Sequence, residues 1–347
     1  MAEKQIAARR DKGKPGALNR ARRRLLTALI FLAVCFVAYT NGANANFKGV
    51  ASLYGSGTTT LRGALWWGTA TTLASALAAL FLAEGMLKKF SGKGLVPDAL
   101  AQSPDFLLAV ALGAALTSLL ATKFGFPVST THALTGALLG AGLAGSGTEV
   151  HFGALGKNFA QPLLISPLLA VVAGGVIYLV LKAARLAPDH RTRPLDTLHY
   201  LSAGAASFAR GLNDTPKMAA LLLVAKAFDI RWGLLAVAVM MAVGALLDAE
   251  RVAETLGKKV TAMTPGQGFA ANLATAALVT TASWNALPVS TTHVSVGALL
   301  GIGITTRQAK WRSIGQIVLC WVITLPCAAL LAALLFWCVR IAARVTV

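Results

Sequence analysis

The residues best suited to chemistry lie in a stretch that the chain carries twice: Pro127-Val128-Ser129-Thr130-Thr131-His132 and Pro288-Val289-Ser290-Thr291-Thr292-His293, each followed by small and apolar residues. A proline ahead of a hydroxyl run reads as a helix start. A hydroxyl at the N-cap satisfies orphan backbone N–H groups, and the remaining N–H groups with the positive end of the helix dipole make a site for an anion. One copy alone would be a well-capped helix. Two identical hydroxyl triplets in an apolar chain point to binding.

A second pair of motifs precedes these. Gly42-Ala43-Asn44-Ala45-Asn46-Phe47-Lys48 aligns with Gly211-Leu212-Asn213-Asp214-Thr215-Pro216-Lys217, matching Gly, Asn and Lys in register. Ser129, Thr130, Thr131, Ser290, Thr291 and Thr292 would supply hydroxyl donors, Asn44 and Asn213 amides, and Lys48 and Lys217 positive charge. Such a set suits a small oxyanion. Asp214 is the most informative residue, because a carboxylate at a helix centre costs about 2.5 to 3.5 kcal/mol on insertion scales. Arg210, one turn earlier, is a candidate partner for a structural ion pair. The functional reading makes Asp214 a Na⁺ ligand, with Asn44 and Asn213 as further cation-binding amides, or a proton carrier; the two roles are compatible. Ala45 stands where the first half would carry the equivalent of Asp214, so cation coordination is expected to be asymmetric. His132 and His293 read as braces of the hairpin turns in preference to proton relays.

The elements that hold these residues must lie in a membrane. Of 347 residues, 56% are hydrophobic and only 13% charged, and apolar runs of spanning length recur at about 25–41, 64–83, 106–122, 161–183, 199–225, 232–247, 268–286 and 313–339. Helices satisfy the backbone at that depth. The formal charge of +19 does not indicate nucleic acid, because nine basic residues crowd into the first 24 positions and most others flank apolar segments. Cys35, Cys320, Cys327 and Cys338 sit singly in apolar stretches and imply neither a metal site nor a disulfide framework. The N-terminus imitates a secretory signal, but its apolar stretch is read as the first membrane helix, since residues 42–48 have a counterpart in the second half.

The expected fold is an all-α polytopic membrane protein of two inverted-topology repeats. The divisions are a basic tail at 1–24, a first repeat at 25–183, a linker at 184–197 and a second repeat at 198–347. Each half would contain a helix broken at its Gly-x-Asn motif and a re-entrant helical hairpin tipped by Pro-Val-Ser-Thr-Thr-His. Three full spans plus a hairpin, or five spans, give an odd number of crossings per half, and an odd number inverts the second copy. Orientation is contested: the basic tail argues for an inside N-terminus, while Lys182, Arg185, Arg191 and Arg193 would then lie outside.

With both motif pairs in hand, the chain resembles the inorganic phosphate transporter family, whose members carry Gly-Ala-Asn-Asp in each half and Pro-Val-Ser-Thr-Thr-His in the hairpins. Here the first motif reads Gly42-Ala43-Asn44-Ala45 and the second Gly211-Leu212-Asn213-Asp214. The resemblance implies a carrier that takes up phosphate by symport with Na⁺ or H⁺, needs no cofactor, and draws its phosphate and cation ligands from Asn44, Asn213, Asp214 and the Ser/Thr triplets. Ala45 departs from that pattern. The expected setting is a bacterial-type plasma (inner) membrane, with a homodimer as a plausible assembly. A sulfate permease of the same fold is the nearest rival, tilted against because a protonated phosphate can donate to Asp214 while sulfate cannot. An uncoupled anion channel and an intramembrane enzyme using a histidine with a nearby serine are the remaining alternatives, the last opposed by the duplication.

Overall fold

The computed structural model describes residues 14–82, 84–225 and 229–345. The tail ahead of Lys14 lies outside the described residues; the remainder of the expected tail is already helical, because α1 spans Lys14–Ala45. Next come α2 (Leu61–Leu82), α3 (Pro104–Lys123), α4 (Thr130–Ser146) and α5 (Gln161–Ala183). The second half repeats the series as α6 (Arg193–Ala225), α7 (Ile230–Asp248), α8 (Pro265–Trp284), α9 (Thr291–Thr305) and α10 (Trp311–Val345). The first helix of the second half begins at Arg193, inside the stretch 184–197 that joins the halves.

Matching helices begin with matching chemistry. Ser103 caps α3 by accepting from Phe106 N, with Pro104 at the first helical position. At α8, Thr264 and Gln267 form a capping box around Pro265. Packing repeats in the same way. α1 lies on α3 and α7 as α6 lies on α8 and α2, and the halves interlock through α4 on α10 and α9 on α5. The apolar faces of α5 and α10 turn outward, exposing Leu168, Val172, Val322 and Leu330, whereas Ser207, Arg210, Asn213, Asp214 and Lys217 of α6 are buried. Five helical segments, 24–49, 104–123, 152–183, 230–248 and 311–342, are long and apolar enough to cross a membrane. This is an all-helical, multi-pass integral membrane protein.

The motif glycines serve close helix approach. A Cβ on Gly42 would collide with the Met241 carbonyl on α7, and one on Gly211 with the Ser75 side chain on α2.

Both hairpins form, as α3–α4 and α8–α9. The two expected helix breaks do not behave alike. The first half breaks after Ala45 into a 3₁₀ turn, Asn46–Gly49, and a short helix, Ala51–Gly55. The break frees the Lys48 carbonyl, which accepts from Ser295 Oγ at 2.6 Å. In the second half α6 runs unbroken through Asn213, Asp214 and Pro216. Pro216 removes one ladder bond, and the turn around it is held instead by ionic contacts between Asp214 and its neighbours along the helix. The expectation of a broken second helix is thereby corrected.

Candidate functional site

The hairpin tips meet in the interior, where each bonds to the other's backbone. Thr131 Oγ1 donates to Val289 O at 3.1 Å, and Thr292 Oγ1 donates to Val128 O at 2.7 Å. A lysine joins each carbonyl: Lys217 Nζ donates to Val289 O at 2.9 Å and Lys48 Nζ to Val128 O at 2.8 Å. The duplicated sequence has become a reciprocal pair of contacts.

Ser129 and Ser290 are the N-caps of α4 and α9, accepting from His132 N and His293 N, each at 3.1 Å. Their role as acceptors leaves each hydroxyl proton without an acceptor among the described residues. Thr130 Oγ1 likewise accepts, from Asn41 Nδ2 at 2.8 Å. The N–H groups of Thr130, Thr131, Thr291 and Thr292 in the first turns have no intrahelical partner. Thr291 differs from its counterpart by donating to Asp214 Oδ2 at 3.3 Å.

Asp214 sits at the centre of an ionic triad on α6. Its Oδ1 lies 3.0 Å from Lys217 Nζ and its Oδ2 3.7 Å from Arg210 Nη1, and all three side chains are buried. Asn41 Nδ2 also reaches Oδ2, at 3.3 Å. Lys217 spends its three N–H groups on Asp214, Val289 O and, at 2.7 Å, Thr131 Oγ1. Arg210 is tied down by Asn41 Oδ1 at 3.2 Å, Asn46 Oδ1 at 3.3 Å and Thr72 Oγ1 at 2.7 Å. The ion pair expected between Arg210 and Asp214 is present, with Lys217 closer still. Because both carboxylate oxygens already accept from protein donors, the argument that Asp214 favours a protonated phosphate over sulfate loses its support.

The two asparagines of the motif pair part company. Asn44 has every polar atom engaged: Nδ2 donates to Thr122 Oγ1 at 3.0 Å and Phe126 O at 2.9 Å, and Oδ1 accepts from Val128 N at 2.9 Å. It braces the first hairpin loop. Asn213 donates to Ser283 Oγ at 2.9 Å, but its buried Oδ1 has no partner among the described residues. Asn41 and Thr72 were missed as site residues. Asn41 carried a signal, since it aligns with Arg210 immediately before the motif glycines.

His293 ties its hairpin to α5 instead of bracing the hairpin turn itself, with Nδ1 3.1 Å from Leu163 O and its ring 3.9 Å from that of Trp321. Trp321 Nε1 in turn donates to Pro127 O at 3.2 Å. The His132 ring lies 4.7 Å from that of His293, and its Nδ1 has no partner among the described residues, so the expected brace is not made there. Lys123, beside the first hairpin loop, reaches Asp248 at 3.5 Å, and Tyr39 Oη donates to the same carboxylate at 2.6 Å.

Interlocked helical halves around a buried cluster of charges and hydroxyls define a membrane transporter, and the comparisons with known proteins narrow the class. The model of the phosphate transporter family matches residues 41–332, and the chain belongs to that family. It is 29% identical to a probable low-affinity inorganic phosphate transporter of Rhizobium meliloti, over 90% of this chain and 96% of the relative. A probable low-affinity inorganic phosphate transporter of Bacillus subtilis is 28% identical over 90% and 97% of the two chains. Among solved structures, a sodium-dependent phosphate transporter superposes with a TM-score of 0.81 at 20% identity, covering 91% of this chain and 99% of its own. That likeness is one of fold. Membership in a family of transporters answers the enzyme alternative.

Proposed function

We propose that the chain is a secondary carrier of inorganic phosphate, moving the anion by symport with a cation, Na⁺ or H⁺, between two inverted halves. The observation that carries the reading is the surplus of unspent donors where the hairpin tips meet. The hydroxyl protons of Ser129, Thr130 and Ser290 lack acceptors among the described residues, Lys48 Nζ has a single hydrogen bond, and the first-turn N–H groups of α4 and α9 lie beside them. A tetrahedral oxyanion satisfies such a set, and helix N-termini favour its charge. Membership in the phosphate transporter family, with relatives named as phosphate transporters along nearly their whole length, supports phosphate over sulfate.

The reciprocal packing of α4 on α10 and α9 on α5 supports the inverted plan, in which the tips part on one side of the membrane at a time. Uptake of radiolabelled phosphate into proteoliposomes tests the function, with an inward Na⁺ gradient and, separately, an inward proton gradient, and with sulfate in parallel. The expected result is accumulation of phosphate above its electrochemical equilibrium under one gradient. Phosphate that only equilibrates would make the protein a channel; accumulation of sulfate alone would change the substrate.

A further inference from the structure

The site contains more positive charge than its one carboxylate balances. Lys48, Arg210 and Lys217 are buried with Asp214, leaving an excess of two positive charges. Asp214 is matched to Arg210 and Lys217, but Lys48 has no carboxylate within ion-pair distance among the described residues and donates to a single acceptor, Val128 O. The repeat shows the difference: Ala45 precedes Lys48 by the same three residues that separate Asp214 from Lys217, but it carries no carboxylate, and Lys48 lies in the 3₁₀ turn that follows α1.

We propose that Lys48 does in this chain what a symported metal cation would otherwise do: it binds phosphate as an ammonium, returns as the neutral amine, and makes Na⁺ unnecessary. The proposal rests on the reading of the chain as a phosphate carrier. Two arguments from the geometry lead to it. A Na⁺ ion needs several oxygen ligands free to accept it; Asn213 Oδ1 is free among the described residues, yet both oxygens of Asp214 are held by Lys217, Asn41, Thr291 and Arg210, and a metal ion there would sit against an ammonium 3.0 Å from the same carboxylate. The Ala45 side, where a second carboxylate would stand, offers no anionic ligand.

The empty carrier must also return across the membrane. Divalent phosphate neutralises the excess of two charges when it binds, and its departure exposes a buried, unpaired ammonium at Lys48. Burying an unpaired charge is costly, and buried lysines discharge readily. Lys217 has the Asp214 carboxylate 3.0 Å away as its counter-charge, Lys48 has none, and a guanidinium does not deprotonate. Lys48 is therefore the group that lets go. The charged and titratable groups facing it are Asp214, Arg210 and Lys217 on α6 and the His293 imidazole on α9. The balance is one proton per cycle: a proton from the outer side joins the Lys48 amine, phosphate binds the ammonium, the loaded site turns inward, phosphate leaves, and the same proton leaves Nζ to the inner side.

The full chain in proteoliposomes tests this through three readouts. In Na⁺-free medium the wild type should accumulate phosphate under an inward proton gradient, and added Na⁺ should change the rate less than two-fold. A ten-fold or greater requirement for Na⁺ overturns the inference while leaving the carrier reading intact; absence of phosphate transport in every medium removes that reading and the inference with it. Lys48→Arg keeps the charge but cannot release it, so gradient-driven accumulation should fall at least ten-fold further than exchange of external labelled for internal unlabelled phosphate. Accumulation at the wild-type level in that variant overturns the proposal. Should the bulkier guanidinium abolish exchange as well, Lys48→Gln decides: a half-saturating phosphate concentration raised at least ten-fold supports the role, and an unchanged one refutes it.

Discussion

Asp214 Oδ1 and Lys217 Nζ stand 3.0 Å apart on one turn of α6, both buried, and the same ammonium reaches across to Thr131 and Val289 at the two hairpin tips. One ion pair thus links the α6 motif to the duplicated hydroxyl motifs. Separation of the tips requires Lys217 to release at least one of these acceptors, so the energetics of this pair bear on both stability and movement.

Removing one partner of a buried ion pair leaves an uncompensated charge and typically costs about 3–5 kcal/mol. Asp214→Asn is accordingly expected to lower the thermal stability of the detergent-solubilised protein as well as abolish accumulation, because Arg210 and Lys217 both lose their counter-charge. Combining it with Lys217→Gln should recover part of the loss, with a coupling of roughly 0.5–3 kcal/mol. Additive effects of the two substitutions would show that the pair is not coupled in the folded protein.

The reciprocal threonines make matching bonds to the opposite tip, but Thr131 Oγ1 also accepts from Lys217 Nζ at 2.7 Å, so Thr131→Val should be the costlier of the two substitutions. Thr131→Val and Thr292→Val each remove a donor from the opposite tip's carbonyl while the lysine donor stays. Each loss is worth about 1 kcal/mol, which corresponds to about five-fold faster amide exchange at both tips if they open together. An increase confined to the mutated hairpin would mean that the two tips open independently.

Helix approach gives a prediction with an internal control. Gly211→Ala drives a methyl into Ser75 on α2, whereas Gly153→Ala meets open space. Overpacking of this kind costs about 1–3 kcal/mol, so the first variant should melt earlier and the second at the wild-type temperature. Equal melting temperatures would indicate that α6 and α2 have room to separate.

What the sequence made legible was what is local or repeated. Ser129 and Ser290 announced helix starts because a cap is defined within a few residues, and Arg210 announced its pairing with Asp214 through the one-turn spacing. The continuity of α6 was not legible: Pro216 after a polar Asn-Asp-Thr run reads as a break, whereas the ionic contacts of Asp214 along the helix and the reach of Lys217 and Arg210 into the first half accompany a continuous turn. The division of labour between Asn44 and Asn213 was hidden for a related reason. The partners of Asn44 lie on a hairpin distant in sequence, while Val289 N, the counterpart of Val128 N, bonds to Leu287 O instead and leaves Asn213 Oδ1 free. Two copies of a motif share local geometry, but their partners need not match.

The central claim is that the donors at the hairpin tips hold phosphate, and equilibrium binding of radiolabelled phosphate to the purified protein tests it most directly, with wild type compared against the Ser129→Ala/Ser290→Ala double variant. Each substitution also removes a helix cap, worth about 1 kcal/mol of stability, so both proteins are checked for the same monodisperse, folded state before binding is read. Saturable binding by the wild type and at least ten-fold weaker binding by the double variant is the predicted result. Equal affinity in the two proteins would contradict it and move the phosphate site away from the tips.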